Sequence, residues 1–416
     1  MTDLVVLGGG AAGFFGAIRA AEANPDARVT LLEAGSTFLS KVKISGGGRC
    51  NVTRAVFDPV ELVKGYPRGA TELRGVFSRF QPRDTVAWFE ARGVRLKAEP
   101  DLRMFPVTDD SQTIIDCLLG EARKGGVALR THAAAEAVTR EGDGFVVSLR
   151  GGAALRADAI LLATGSNPKG LAIAQSLGHK LVAPVPSLFN FVIHDPRLED
   201  LAGITVPQVA TTLKVGDLKL QQTGSVLVTH AGLSGLALLR LSAWGARELH
   251  AANYQATLVV DWVPTRSEAD LRAAFDATRT QHPKGTVGAN APFPEVPRRL
   301  WERLLAASGI APDTKWAEAP RKGLNLLTQQ LKLGAFPITG KGPFKEEFVT
   351  CGGVSRKEVD FRTMESRVCP GLYFAGEVLD IDGITGGFNF QNAWSTGWIA
   401  GGSMAARGLT LAEKGQ

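Results

Sequence analysis

Six residues near the N-terminus restrict the fold of this chain more than any other segment. Residues 8–13, Gly-Gly-Gly-Ala-Ala-Gly, fit the pattern G-x-G-x-x-G. They follow a short apolar run, Leu4 to Leu7, which predicts a buried parallel strand. Gly13 to Ala23 predicts a helix, and Val29 to Glu33 predicts a second strand. The chain therefore begins as the βαβ unit of a doubly wound α/β fold.

The glycines of this motif have separate physical roles in such a unit. Gly8 makes the tight turn out of the strand, Gly10 lets the backbone approach a pyrophosphate, and Gly13 allows close packing of helix and strand. The free N–H groups and the dipole of the helix N-terminus favour the negative charge of the pyrophosphate. The dinucleotide-binding residues expected here are Gly8, Gly10, Ala11, Ala12 and Gly13.

An acidic residue ends the second predicted strand. Glu33 stands twenty residues after Gly13, where a carboxylate accepts hydrogen bonds from ribose hydroxyls. The same carboxylate would repel a 2′-phosphate. The N-terminal segment therefore predicts FAD or NAD at this site and disfavours NADP.

The C-terminal part of the chain separates FAD from NAD. Gly371 to Ala375 predicts a strand that ends in Gly376 and Glu377, and in FAD-binding Rossmann domains such an acid meets the ribityl chain. A glycine-rich turn, residues 382–387, precedes a helix predicted from Asn389 to about Arg407. The N-terminus of that helix can stabilise negative charge on the N1–C2=O edge of a flavin. The residues expected to bind FAD here are Gly376, Glu377, Gly387, Phe388, Asn389 and Phe390.

A second dense cluster spans residues 41–53, where three glycines precede Arg, Cys and Asn. This composition suits a loop that wraps a polar cofactor, and Arg49 is its strong bidentate donor. Cys50 and His230 are the candidate catalytic residues, although a small packed cysteine and a structural histidine are the favoured explanations. No metal site is predicted. Further expected cofactor ligands are Lys41, Ser45, Gly46, Gly47, Arg49, Cys50, Asn51, Ala163, Thr164 and Gly165.

The middle of the chain has a different pattern. Residues 188–262 contain short β-like runs, and residues 263–335 contain three amphipathic helical patterns, the third of which predicts a helix from about Arg321 to Leu333. The first of these helices is predicted to begin with a capping box formed by Thr265 and Glu268. We therefore predict an insert domain at 188–348, which interrupts a discontinuous FAD-binding domain of residues 1–187 and 349–416.

Three longer motifs give the chain a family resemblance. They are S-G-G-G-R-C-N at Ser45–Asn51, T-H-x-G-L-S-G at Thr229–Gly235, and A-G-E-x-L-D-x-D-G-x-x-G-G-[FY]-N at Ala375–Asn389. The chain resembles the bacterial flavoprotein family that includes bile-acid enone-reductase-like and aminoacetone-oxidase-like proteins. The resemblance implies a Rossmann-like FAD domain with an insert made of a β-barrel-like part and a small helical bundle. Arg54 departs from the family pattern, which usually has Asn there.

Composition limits the classes of partner. The net charge is +6 without a run of like charges, and 7% of residues are aromatic, so we expect no nucleic-acid partner. No segment has the length of a membrane span or the pattern of a signal peptide, so we expect no membrane partner and a cytoplasmic location. Four cysteines without a C-x-x-C pair agree with a reducing compartment.

The predicted function is hydride transfer between flavin N5 and a small organic substrate, with NAD(P)H as a transient electron donor. No second nucleotide-binding motif is visible, so either a nicotinamide docks transiently at the flavin or the substrate itself reduces the flavin. An oxidase of amines or other small molecules that uses oxygen, and a non-catalytic dinucleotide-binding regulator, are the alternatives. The substrate and the oligomeric state are left open by the sequence.

Overall fold

The computed structural model describes residues 2–342 and 349–414, and the side chains among them up to residue 407. The chain divides into two compact units. The first unit consists of Met1–Val185 and Val349–Gln416, and the second unit is Pro186–Phe348. Each unit has its own apolar core.

The described residues form the following elements. The helices are α1 (Ala11–Ala23), α2 (Ser40–Gly48), α3 (Pro59–Leu62), α4 (Ala70–Phe77), α5 (Pro82–Glu90), α6 (Ser111–Lys124), α7 (Pro168–Ser176), α8 (Leu236–Trp244), α9 (Ala246–Ala251), α10 (Glu268–Gln281), α11 (Arg298–Ala307), α12 (Arg321–Leu333) and α13 (Phe388–Lys414). The strands are β1 (Asp3–Leu7), β2 (Arg28–Leu32), β3 (Thr53–Arg54), β4 (Leu96–Ala98), β5 (Arg103–Pro106), β6 (Ala128–Arg130), β7 (Ala135–Glu141), β8 (Gly144–Leu149), β9 (Ala154–Ala157), β10 (Ala159–Leu162), β11 (Leu181–Ser187), β12 (Phe191–Val192), β13 (Thr205–Val215), β14 (Leu218–Thr229), β15 (Gly232–Ser234), β16 (Ala256–Asp261), β17 (Gly334–Ile338), β18 (Gly340–Lys341), β19 (Val349–Val354), β20 (Val359–Asp360), β21 (Glu365–Ser366) and β22 (Leu372–Phe374).

The main sheet of the first unit has the strand order β20-β21-β22-β10-β1-β2-β6. Its members from β22 to β6 are parallel to their neighbours, and β1 and β10 are almost entirely apolar because both of their faces are covered. The predicted α/β class with a Rossmann-like doubly wound domain is therefore correct. Strands from both ends of the chain meet in this sheet.

Helices α1 and α13 pack against each other at glycine positions. A Cβ atom at Gly397 would collide with the carbonyl oxygen of Ala12, and a Cβ atom at Gly401 would collide with that of Gly16. These two backbones approach more closely than any side chain would permit. The close contact fixes the start of α13 relative to the glycine motif at the start of α1.

The second unit contains a seven-stranded sheet in the order β17-β16-β13-β14-β15-β12-β18. The β-barrel-like part expected here is an open sheet, since no pairing joins β17 to β18 within the described residues. Helices α10, α11 and α12 enclose a core with the buried rings of Trp262, Trp301 and Trp316. This helical cluster corresponds to the small bundle expected from the sequence.

Local predictions differ from the structure at several element ends. Helix α12 has the predicted bounds, but α10 begins two residues later than the proposed capping box. Ser267 is its N-cap, and the box is completed by Asp270. The sequence Ser-Glu-Ala-Asp fits the same capping pattern as the predicted pair, so two capping signals overlap here and the later one forms the N-cap. Residues 41–53 are expected to form a loop, but residues 41–48 belong to helix α2, which is kinked at Ser45–Gly47.

A buried histidine links three segments of the first unit. The Nε2 atom of His179 lies 2.9 Å from the Ser366 hydroxyl, and its Nδ1 atom lies 3.3 Å from Glu358. Burial lowers the pKa of His179 from its usual 6.5, against the opposing effect of the Glu358 carboxylate. The unfolded chain therefore binds a proton at a pH where the folded protein does not.

This difference makes folding stability depend on pH. As the pH falls below 6.5, the unfolded state takes up the proton first, so the free energy of unfolding decreases, by at most about 1.4 kcal/mol per pH unit for one group. We expect His179→Gln to flatten this dependence between pH 7.5 and 5.5, measured by urea unfolding. His230→Gln, at an exposed position, is the control and should keep the wild-type slope. An equal slope in all three proteins would show that His179 is not the responsible group.

Candidate functional site

The carboxyl ends of three neighbouring strands define the candidate site. Strands β22, β10 and β1 end at Phe374, Leu162 and Leu7 and lead into glycine-containing turns. In doubly wound sheets, ligands bind in the crevice outside the carboxyl ends, where neighbouring connections diverge. The elements therefore bring the N-terminal motif, the Ala163–Gly165 turn and the Gly376–Glu377 turn to one edge.

The start of α1 is closed on one side and open on the other. A Cβ atom at Gly8 would collide with the carbonyl oxygen of Ala163, and a Cβ atom at Gly13 would collide with that of Gly8. A Cβ atom at Gly10 would meet nothing within 4 Å. Gly10 is the N-cap of α1 and provides no side-chain cap, so the first N–H groups of the helix remain available to an anion.

Glu33 follows β2 directly and lies beside the start of α1. Its carboxylate accepts hydrogen bonds from the N–H groups of Gly9 (2.9 Å) and Gly35 (2.7 Å). These two main-chain donors fix the orientation of the carboxylate. Each oxygen retains further acceptor capacity, which suits the hydroxyls of a ribose.

Glu377 joins three separate segments. Its carboxylate lies 2.9 Å from the Lys41 ammonium and accepts a hydrogen bond of 2.9 Å from the Thr350 N–H. A Cβ atom at Gly165 would lie 3.5 Å from the same carboxylate. Thr350 was not among the residues predicted for the site. The contact is made by the main-chain N–H group, so the residue type at position 350 does not reveal it. The available signal is the glycine-containing segment Thr-Cys-Gly-Gly-Val at residues 350–354.

Two asparagines hold the turn before α13. The Asn389 side chain accepts from the Gly383 N–H and donates to the Gly383 carbonyl, each at 2.8 Å. The Asn51 amide, in the orientation that satisfies both of its groups, accepts from the Gly387 N–H and donates to the Thr53 carbonyl, each at 3.0 Å. The sequence predicts both side chains as cofactor ligands, and the structure gives them main-chain partners.

The aromatic rings at the start of α13 take part in packing. The Phe388 ring lies edge-on to Tyr66 at 5.5 Å, and the Phe390 ring stacks on Trp394 at 5.6 Å. The main-chain N–H groups of these residues, and not their rings, are the groups that a helix N-terminus offers to a ligand.

The fit of a dinucleotide to this edge can be tested on unpartnered polar atoms. Thr164 Oγ1 and Asn392 Oδ1 are buried and have no hydrogen-bond partner among the described residues. Thr164 follows β10, and Asn392 lies in the first turns of α13. Together with the open side of Gly10 and the two anchored carboxylates, they fit the polar groups of FAD.

Residues 45–50 differ in what they can contribute. The Ser45 hydroxyl donates to the Val42 carbonyl, and Gly47 adopts a left-handed φ of 70° with open space around it. Arg49 lies 2.6 Å from Glu99 and over the Phe105 ring. The guanidinium of Arg49 is thus already paired within the protein.

The two candidate catalytic residues lie in different surroundings. Cys50 is fully buried, and burial raises the pKa of its thiol to about 12, so it is a neutral thiol near pH 7. His230 is exposed on the turn between β14 and β15 of the second unit. Neither arrangement provides an activated nucleophile.

Comparison with known proteins identifies the family. Residues 2–403 match the model of the HI0933-like protein Rossmann domain. The chain belongs to this family. It is a flavin-dependent oxidoreductase with a Rossmann-like FAD-binding domain, as the sequence predicts.

Three relatives align over nearly the whole chain. The ribosomal RNA dihydrouridine synthase of Escherichia coli is 31% identical, over 97% of this chain and 98% of the relative. The 3-dehydro-bile acid delta(4,6)-reductase of Clostridium scindens is 30% identical, over 98% of this chain and all of the relative. The ribosomal RNA dihydrouridine synthase of Haemophilus influenzae is 28% identical, over 95% of this chain and 97% of the relative. The expectation of no nucleic-acid partner is therefore not confirmed.

Two solved structures share the fold. A flavocytochrome c3 fumarate reductase in its open conformation superposes with a TM-score of 0.52 and 18% identity, over 98% of this chain and 78% of the other. The 3-ketosteroid-delta4-(5alpha)-dehydrogenase of Rhodococcus jostii superposes with a TM-score of 0.50 and 18% identity, over 97% of both chains. Among the described residues, no helix is both long and apolar enough to cross a bilayer.

The different surroundings of Gly10 and Gly13 predict different outcomes of the same substitution. Gly10→Val should fold but lose FAD, because its side chain would occupy open space needed by the pyrophosphate. Gly13→Val should lose folding stability, because it would collide with the Gly8 carbonyl. Flavin absorbance per protein and the melting temperature measure the two effects. Gly75, in α4, also has open space where a Cβ atom would lie. Gly75→Val is therefore the control and should keep FAD. FAD retained by Gly10→Val at wild-type occupancy would place the cofactor elsewhere.

Proposed function

We propose that this enzyme reduces a carbon–carbon double bond conjugated to a carbonyl, and that this bond is the C5=C6 bond of a uridine in ribosomal RNA. The observation that carries the proposal is the 31% identity with a ribosomal RNA dihydrouridine synthase over 97% of the chain. A second relative with the same activity comes from a different organism. The net charge of +6 also suits an anionic substrate.

The bile-acid relative supports the chemical part of this proposal independently. A 3-dehydro bile acid with delta(4,6) double bonds is a conjugated ketone, and uridine carries its C5=C6 bond next to the C4 carbonyl. In both molecules the reduction adds a hydride to the carbon distal to the carbonyl and a proton to the proximal carbon. A bile-acid-like dienone is therefore the second candidate substrate, favoured by 30% identity over nearly equal coverage.

In the proposed site, the chain positions FAD, which when bound supplies the hydride at N5. The first N–H groups of α1 hold the pyrophosphate, and Glu33 accepts from the ribose. Glu377, fixed by Lys41 and the Thr350 N–H, accepts from the ribityl hydroxyls. The residues proposed to contact FAD are Gly8, Gly10, Ala11, Ala12, Gly13, Glu33, Lys41, Ser45, Gly46, Gly47, Cys50, Asn51, Ala163, Thr164, Gly165, Gly376, Glu377, Gly387, Phe388, Asn389 and Phe390.

The start of α13 would face the pyrimidine edge of the flavin and stabilise negative charge there. Asn51 and Asn389 would also hold the Gly383–Gly387 turn through its main chain in this arrangement. Arg49 and Glu99 form an ion pair, so we assign Arg49 to holding residues 45–51 in place. The electron donor proposed is NADH or NADPH, which docks transiently.

The role of α13 predicts a change in the flavin potential. Phe390→Pro removes one N–H group of the first helical turn, and the helix end contributes about 0.3–2 kcal/mol to a nearby charge. Since roughly 1.4 kcal/mol corresponds to about 30 mV for a two-electron couple, the potential should fall by tens of millivolts. Phe390→Ala keeps the N–H group but loses the ring and is the matched control. If both variants bind FAD and have the same reduction potential, the start of α13 does not stabilise charge on the flavin.

The substrate is tested directly with purified protein. We expect a yellow protein that releases FAD on denaturation and, with NADH or NADPH, forms dihydrouridine in ribosomal RNA from cells that lack the corresponding gene. Mass spectrometry of digested RNA detects the two added hydrogens. The Gly10→Val variant is the control and should form none. Reduction of a 3-dehydro-delta(4,6) bile acid without any dihydrouridine in RNA would overturn the uridine assignment and favour the dienone.

A further inference from the structure

An exposed face of the second unit carries two aligned rows of side chains. The register of β17, β16, β13 and β14 places one row at Pro337, Thr257, Lys214 and Lys219, and the next at Ala335, Val259, Thr212 and Gln221. We call these eight residues the open sheet face. The alternate pair of Leu213 and Leu220 points to the other side, toward Gly245 at the end of α8.

Two positive charges stand directly opposite each other on this face. Lys214 pairs with Lys219 in the antiparallel register, and both side chains are exposed. Like charges at opposed positions destabilise a strand pair. The arrangement therefore has a cost to the fold that a bound anion would offset.

Several other cations of the second unit have acidic partners. Arg197 pairs with Asp195, Arg266 with Glu295, and Arg303 with Asp200. Within residues 2–342 and 349–414, neither Lys214 nor Lys219 forms an ion pair. Both ammonium groups are thus available to a ligand.

The surroundings of the lysine pair are polar and nearly free of negative charge. The remaining residues of the open sheet face are neutral, and Asp261, the next residue along β16 on the same face, is paired with Lys332 at 2.7 Å. Asp217 lies on the turn between the two strands. No large hydrophobic side chain of the open sheet face is exposed, which disfavours insertion into a lipid surface.

The open sheet face continues into a polar groove. Ala335 ends one row and also lines an open groove of about 980 Å³, whose other walls include Gln329, the Arg272–Glu268 ion pair and the exposed Leu333. Amide groups such as that of Gln329 donate hydrogen bonds to phosphate and sugar oxygens. Since the face has no aromatic ring on which a base could stack, its contacts would be to the backbone of a nucleic acid.

We infer that the open sheet face binds the sugar–phosphate backbone of RNA, with Lys214 and Lys219 together holding one phosphate. This inference rests on the proposed function, since it assigns a docking surface for the RNA that contains the target uridine. The contact is independent of base sequence. It would add affinity for RNA of any sequence.

The test compares two double variants of the full-length, FAD-loaded protein. Lys214→Gln/Lys219→Gln should weaken binding of a labelled ribosomal RNA fragment roughly tenfold at low salt, measured by fluorescence anisotropy. The slope of log Kd against log salt should fall by about 0.7, the value for one phosphate contact on single-stranded RNA. The control, Lys64→Gln/Lys124→Gln, removes the same charge at two exposed lysines of the first unit. It should bind like the wild type.

Turnover separates this inference from the proposed function. If the wild type forms dihydrouridine, the KM for RNA should rise in the Lys214/Lys219 variant while kcat stays unchanged. Wild-type values of Kd, salt slope and KM in that variant would overturn the inference alone. Absence of dihydrouridine with any RNA would instead refute the proposed function. Binding of the wild type to phosphatidylserine-containing vesicles, but not to RNA, would overturn the inference in favour of a lipid headgroup.

Discussion

The close approach of α1 and α13 is the contact on which the rest of the first unit depends. Two glycines of α13 lie against the carbonyl groups of Ala12 and Gly16, at a distance that no side chain would permit. The contact ties the first residues of the chain to the last helix, so the site forms only when both ends have folded together. An insert in the middle of the chain is compatible with this arrangement because both of its ends return to the same unit.

Main-chain groups hold most of the polar side chains at the site. The carboxylate of Glu33 is oriented by two N–H groups, Glu377 is held in part by the Thr350 N–H, and Asn389 binds both main-chain groups of Gly383. Main-chain partners do not depend on residue type. The site is therefore defined by the path of the backbone, and glycines are needed where that path is tightest.

Dependence on the backbone path determines which features of the fold and the site the sequence could predict. The roles of Gly8 and Gly13 follow from residue type, because only glycine fits where backbones touch. The bounds of α12 follow from its apolar period. Thr350 could not be found, since its N–H group is the contact, and the buried state of Cys50 depends on long-range packing. The pairing of Arg49 with Glu99 joins residues fifty positions apart, which periodicity and motifs do not reveal.

The same reasoning explains why family membership leaves the substrate open. Relatives at 31% and 30% identity carry the names of an RNA-modifying enzyme and a bile-acid reductase. Two of the three family motifs, Ser45–Asn51 and Ala375–Asn389, lie in the first unit, and the third, Thr229–Gly235, lies in the second. Membership of the family therefore identifies the cofactor-binding fold and not the substrate. The two opposed lysines of the open sheet face lie outside all three family motifs, and such residues are where specificity for a polyanion can be sought.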